Sequence, residues 1–149
     1  MPHLPRQGLQ FKSVEVSYFL HATEDYERVI DSIAKVLNIQ SESFTLSDTQ
    51  GHYRNQIKIV RAHLIGKGAG DFALWLFGIF QSIQKQDILT DIDRSLNEHG
   101  DLFIRFNKQR LLSGKLASSD TDPVRIKIKL RFNIGRDSIL QAYQTLLKD

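Results

Sequence analysis

Nine residues near the C-terminus constrain this chain more than any others. From Val124 to Phe132 the sequence reads Val-Arg-Ile-Lys-Ile-Lys-Leu-Arg-Phe, apolar and cationic side chains in alternation. Successive side chains of a strand point to opposite faces. An extended conformation therefore sets Val124, Ile126, Ile128, Leu130 and Phe132 against a core and Arg125, Lys127, Lys129 and Arg131 away from it. A helix would scatter both sets around its circumference. The cations stand about 7 Å apart, twice the rise per residue, and like charges in one row repel. Water, acids or a polyanion must compensate. A solvated outer sheet face, with lysines guarding an edge, accounts for the row as well as an anionic partner does.

The surroundings tilt that balance. Residues 101–135 hold 8 Lys/Arg against 3 Asp/Glu, whereas residues 1–100 hold 10 against 12 and residues 136–149 hold 2 against 2. The excess of +5 in one segment exceeds the +3 of the whole chain, and such localisation points to a localised anionic partner. Arg105, Lys108, Arg110 and Lys115 lie in the same third. Phe19 and Phe103 fall on the outward positions of two further strand patterns. Aromatic rings beside cations suit RNA, because bases stack and phosphates pair.

The rest of the chain reads as one α+β domain over 1–149, with residues 1–10 a loose lead-in. Ser13 to His21 alternates, with Val14, Val16, Tyr18 and Leu20 inward. Thr23 stands as an N-cap with acids behind it, and 24–37 has helical spacing. Phe44 and Leu46 suggest a short strand, 47–55 a turn or loop, and 57–65 a strand with room for a bulge near Val60. A helix over 71–83 carries a wide apolar face. Another runs from Ile88 to Leu96 and is closed by Gly100. Leu102, Ile104 and Phe106 point inward on a strand opened by Asp101, with Phe103 and Arg105 outward. Residues 107–122 read as a polar connection, and 139–147 as a closing helix. Paired helices between strands predict a mostly antiparallel sheet with helices packed on one face, not regular β-α alternation.

Several chemistries find little support. There are no cysteines, which excludes disulfides and thiolate metal sites. The first residues lack the apolar run of a signal peptide, and the apolar stretch 72–80 is too short to span a bilayer. The expectation is a cytoplasmic protein with no membrane association. Gly66-Lys67-Gly68-Ala69-Gly70-Asp71 superficially suggests a phosphate loop, but Asp71 stands where the dinucleotide fingerprint needs glycine, and the P-loop Lys-Ser/Thr is absent. The segment reads as a flexible turn whose acid caps the next helix. His3, His21, His52, His63 and His99 have no i+4 histidine partner and no HExxH pattern. Neither a nucleophile elbow nor a Ser/His/Asp constellation is present, so no catalytic residue, metal ligand or cofactor is assigned.

Four stretches carry a family resemblance, spanning roughly Val14 to Leu130. They are His21-Ala22-Thr23-Glu24-Asp25, Gly51-His52-Tyr53-Arg54-Asn55-Gln56-Ile57, His99 through Gln109, and the basic strand introduced by Asp122. The chain resembles a small archaeal family of predicted RNA-binding proteins, described as exosome-associated. Two positions depart from the family pattern: Asn107 stands where an aspartate precedes Lys-Gln, and Gln56 where a proline often follows the asparagine. The resemblance implies a fold like that of ribosomal large-subunit protein five. It also implies a turn bearing Arg105, Lys108 and Gln109 beside the basic strand, and a second polar loop around Gly51-His52-Tyr53 and Asn55.

The sequence thus supports a non-catalytic RNA-binding module. Its expected phosphate contacts are Arg105, Lys108, Arg125, Lys127, Lys129 and Arg131, with Gln109 beside them and Phe103 for stacking. The expected partners are RNA and either a second copy or an exosome-type protein. The alternative is a scaffold protein acting through the apolar helix 71–83. A third reading, a phosphate-handling enzyme at 66–71, ranks below both.

Overall fold

The computed structural model describes residues 10–48, 57–131 and 135–148. Five strands form one antiparallel sheet. They are β1 (Phe11–Leu20), β2 (Phe44–Asp48), β3 (Lys58–Ile65), β4 (Leu102–Asn107) and β5 (Pro123–Leu130), in the order β2-β3-β1-β5-β4. The basic strand β5 is thus central, between β1 and β4. Edge protection therefore does not apply to its cations, although a solvated outer face still does. At the far side β2 pairs antiparallel with β3, from Phe44 opposite Ala62 to Asp48 opposite Lys58.

Among the described residues there are six helices: α1 (Tyr26–Val36), α2 (Gly66–Ile79), α3 (Ser82–Thr90), α4 (Ile92–Ser95), α5 (Lys108–Leu112) and α6 (Arg136–Leu147). The contacts divide the chain into two compact units. Unit 1 comprises Met1–Val14, Leu64–Ile104 and Ile126–Asp149, and unit 2 comprises Glu15–His63 and Arg105–Arg125.

Unit 2 buries Val16, Tyr18 and Leu20 of β1 with Val29, Ile33 and Ala34 of α1. Helix α5 packs against α1, placing Leu111 in the same core. In unit 1 the core is aromatic. The Phe77 ring lies 6.4 Å from Phe11, 5.7 Å from Phe80 and 6.2 Å from Tyr143, centroid to centroid. Tilted and edge-on rings at such distances add to what area burial alone provides.

Four local expectations change. The N-cap of α1 is Asp25, whose carboxylate accepts from Arg28 N, not Thr23. Glu24 is engaged elsewhere. The glycine run 66–71 is not a turn. It forms the opening of α2, with Gly66 at φ +57 turning the corner out of β3. Asp71 therefore lies inside the helix, paired with Lys67 one turn back. The helix expected over 71–83 ends at Ile79, and α3 starts at Ser82 behind a reciprocal Gln81–Gln84 capping box. Finally, the polar connection after β4 holds a helix, α5. Asn107 caps it by accepting from Arg110 N at 2.9 Å. An aspartate would cap it equally well, so the departure from the family pattern at 107 keeps the turn.

Candidate nucleic-acid interface

Alternation on β5 is as the sequence dictates. Val124, Ile126 and Ile128 are fully buried. Arg125 is exposed, Lys127 and Lys129 are half-buried, and Arg131, just past the strand, is exposed. On β4, Leu102, Ile104 and Phe106 are buried, while Phe103 and Arg105 are partly accessible.

Within unit 1, Lys127 Nζ sits 5.8 Å from the centre of the Phe103 ring, inside the range in which a cation is drawn to an aromatic face. The same ammonium lies 3.8 Å from Asp101 Oδ2. Asp101 is almost wholly buried and also accepts from Asn97 Nδ2 at 3.1 Å. Farther along the strand the pairing stops. Among the described residues no acid lies within ion-pair distance of Lys129 or Arg131. Both line a cavity of about 380 Å³ with Lys12, Glu98, His99, Asp101, Leu130 and Ile139.

One wall of this cavity is a tight turn. Asn97 Oδ1 accepts from His99 N and Asp101 N, both at 2.9 Å, and Gly100 N donates to Asn97 O. Gly100 has φ +84, and a Cβ there would stand 2.3 Å from Ile139 Cδ1. Only glycine fits both demands. Arg136, at the start of α6, donates to Asn97 O at 3.2 Å and pairs with Asp93 at 2.9 Å, tying this turn to the last helix. The sequence reading gave Arg136 no role. An arginine at the start of a helix carries no local signal of carbonyl partners some forty residues away.

Unit 2 holds the one expected phosphate contact that turns away from solvent. Lys108 is 0% exposed. Its ammonium donates to Phe19 O at 2.8 Å and Glu24 Oε1 at 2.8 Å, and pairs with Asp122 Oδ2 at 2.9 Å. All three of its N–H groups thus have partners. A buried ammonium so held is not presented to a phosphate, and the expectation for Lys108 is corrected on that ground. Glu24 Oε1 also accepts from His21 N at 2.9 Å, and His21 Nε2 lies 3.3 Å from Asp122 Oδ1. Asp122 adopts φ +47, a left-handed conformation uncommon outside glycine that aspartate enters more readily than most residues.

This cluster gathers His21 and Glu24 from the first recognised stretch, Lys108 from the third and Asp122 from the fourth. Those short motifs meet at an ion network centred on the buried Lys108 ammonium. Gln109 is exposed on the first turn of α5, and Arg105 and Arg125 belong to the same unit. Of the second stretch, residues 51–56 lie outside the described residues, as does Phe132 of the basic strand.

A partly buried sheet face bearing cations and an aromatic ring, on an α+β scaffold without a metal-binding cluster among the described residues, defines a candidate polyanion-binding domain. The family model described as RNA binding matches residues 13–132, and the chain belongs to that family. It is 24% identical over 147 residues to RNA-binding protein PAB1135 of Pyrococcus abyssi, covering 94% of this chain and 96% of that one. It is 29% identical over 127 residues to the uncharacterized protein MJ0213 of Methanocaldococcus jannaschii, covering 82% and 85%. Among solved structures, protein AF2318 of Archaeoglobus fulgidus, a DUF54 protein, superposes with a TM-score of 0.77 at 25% identity, covering 92% of this chain and 99% of that one. Protein SSO0741 of Sulfolobus solfataricus, also DUF54, gives 0.74 at 27%, covering 91% and 97%.

Proposed function

We propose that this protein is a non-catalytic RNA-binding module whose phosphate contacts include Lys127, Lys129 and Arg131, with Phe103 offering a stacking surface beside Lys127. The observation that carries this reading is the accessibility of the row in unit 1. Its cations keep their outer side open, and among the described residues Lys129 and Arg131 have no acid partner. Membership of the RNA binding family and the name of the Pyrococcus relative support the same reading. Arg105, Arg125 and Gln109 of unit 2 form a second set of contacts to be tested separately. Lys108 has a structural role in this proposal.

Phosphate contacts position a nucleic acid without reading its sequence, so binding is expected to be broad in sequence and steep in salt. Each phosphate neutralised on a single strand contributes about −0.7 to the slope of log affinity against log salt. In a filter-binding or anisotropy titration, Lys129→Glu with Arg131→Glu, which leaves the Lys127–Asp101 pair in place, should lower affinity for a mixed-sequence RNA at least about 100-fold and flatten that slope by one to two contacts' worth. The circular dichroism spectrum should not change. Unchanged binding by a folded double variant would end the proposal.

The exosome-type association that the resemblance implies is a further proposal, read by co-purification with tagged protein. A second, independent reading rests on the apolar segment 71–83, where Leu74, Ile79 and Ile83 are large apolar side chains that unit 1 leaves exposed. They suit a protein contact on α2 and α3. Sedimentation velocity across a hundredfold concentration range separates the two, since a monomer at every concentration removes self-association.

A further inference from the structure

The cavity at the end of the basic strand has a composition that a plain phosphate track does not need. Three cations line it: Lys12 from β1, and Lys129 and Arg131 from the end of β5. The backbone holds them together, since Arg131 N donates to Gln10 O at 2.7 Å across the neighbouring ends of β5 and β1. Two carboxylates share the cavity, yet neither is within ion-pair distance of Lys12, Lys129 or Arg131. Asp101 is held by Asn97 and Lys127, and Glu98 lies 3.6 Å from His99 Nε2. Lys12, Lys129 and Arg131 have no ion pair among the described residues. Three like charges converging on one concave space repel each other, and the arrangement lowers stability unless an anion sits among them.

The kind of anion follows from the remaining lining. An internal phosphodiester carries one charge, whereas a phosphomonoester carries close to two at neutral pH. Converging cations therefore favour the monoester. The acceptors Asp101 and Glu98 would repel a bare polyanion but suit the hydroxyls of a ribose. Leu130, Ile139 and the His99 ring give an apolar and aromatic floor for a sugar or base. A volume of about 380 Å³ lies in the range of small-ligand pockets, roughly 300–1,000 Å³. The wall formed by the Asn97–Asp101 turn is held in shape, because Asn97 Oδ1 accepts from His99 N and Asp101 N and Arg136 donates to Asn97 O.

We infer that this cavity seats a single phosphorylated nucleotide, the phosphomonoester-bearing end of an RNA strand, with Lys127 and Phe103 taking the chain onward along unit 1. The inference rests on the RNA-binding reading and deepens it: the row supplies affinity, and the cavity supplies a preference for an end.

The experiment compares fluorescein-labelled oligouridylates bearing a 5′-phosphate, a 3′-phosphate or hydroxyls at both ends, by anisotropy with the full chain. The expected result is at least a tenfold preference for one phosphorylated end over the hydroxyl form, and the two phosphorylated arms tell which end. Lys12→Ala and His99→Ala, neither among the row residues, should bring that ratio close to one. Equal affinity for all three oligomers overturns the cavity inference while the RNA reading stands. If none of the three binds, the RNA reading falls and the inference with it. Uridine monophosphate followed by amide NMR gives a readout independent of chain binding. Shifts concentrated at Glu98, His99, Gly100 and Asp101 support the seat, and none at millimolar nucleotide overturns it.

Discussion

Lys108 in unit 2 and Lys129 in unit 1 look alike in the sequence, each a lysine in the basic third of the chain, yet they have opposite physical roles. Lys108 is wholly desolvated and compensated by two carboxylates and a carbonyl. Lys129 keeps part of its surface in solvent and has no acid partner among the described residues. A buried ammonium carries a large desolvation cost, and once paired, losing a partner is expensive. An accessible ammonium loses little solvation and stays available to a ligand. Positive charge in a segment therefore does not by itself mark a binding surface. What separates the two lysines is whether the fold has already supplied the counterion.

That contrast can be broken most directly by the same substitution at both places. Lys108→Met leaves Glu24 and Asp122 without their shared cation. Since both carboxylates keep some solvent access, with side chains 16% and 30% exposed, the loss should fall at the lower end for a broken buried pair, about 3 kcal/mol. Lys129→Met should change stability by no more than about 0.5 kcal/mol while weakening RNA binding. Urea unfolding of both variants checks this. Similar stability losses at the two positions would erase the distinction, and Lys129 would have to be reread as structural.

The next effect in size concerns what shapes the cavity in unit 1. There the cavity wall depends on backbone geometry at Gly100. Gly100→Ala imposes a side chain at φ +84 and a close approach to Ile139, and should cost about 2 kcal/mol. Gly68, inside α2, has open space where a Cβ would stand, with no atom within 4 Å, so Gly68→Ala should instead stabilise by about 0.5–1 kcal/mol. Thermal melts of the two variants should move in opposite directions. A harmless Gly100→Ala would mean that the turn is not fixed, and the cavity argument would weaken with it.

The same pair of lysines explains what the sequence could and could not disclose. The β5 row was legible because period 2 is a local property: Val124, Ile126 and Ile128 had to share a face, and the cations had to take the other. The inward sets of β1 and β4 were legible for the same reason. The burial of Lys108 was not, because Glu24 lies 84 positions away along the chain, and nothing in Asn-Lys-Gln announces a partner. The short helix α5 was missed since five residues carry too little periodicity to register. The glycines of 66–71 were read by their propensity for turns, but the buried positions Ala69, Phe72 and Ala73 hold that segment helical, a tertiary preference that a weak local one does not resist. The cavity depends on β1 lying beside β5, a matter of strand order that no local pattern contains.

The smallest effect at neutral pH offers the finest comparison, because each unit buries one tyrosine. Tyr18 in unit 2 and Tyr143 in unit 1 are almost wholly enclosed, and neither hydroxyl has a hydrogen-bond partner among the described residues. Burial raises both phenols above their ordinary value near 10, with Asp31 and Glu24 adding to the shift at Tyr18 and Asp101 at Tyr143. The sign follows from linkage. The unfolded chain releases these protons near pH 10 while the folded one retains them, so their contribution is complete below that pH and is lost as pH rises above it. At pH 7, Tyr18→Phe and Tyr143→Phe should each change stability by less than about 1 kcal/mol, since removing an unsatisfied hydroxyl offsets the lost contacts. Above pH 10 each variant should lose stability less steeply than the parent, by up to about 1.4 kcal/mol per pH unit. Urea midpoints at pH 7 and pH 11 read both effects. Parent and variant differ only in that hydroxyl, so the difference isolates the phenol. Parallel alkaline losses in parent and variant would mean that the ring in question ionises as freely in the folded chain as in the unfolded one.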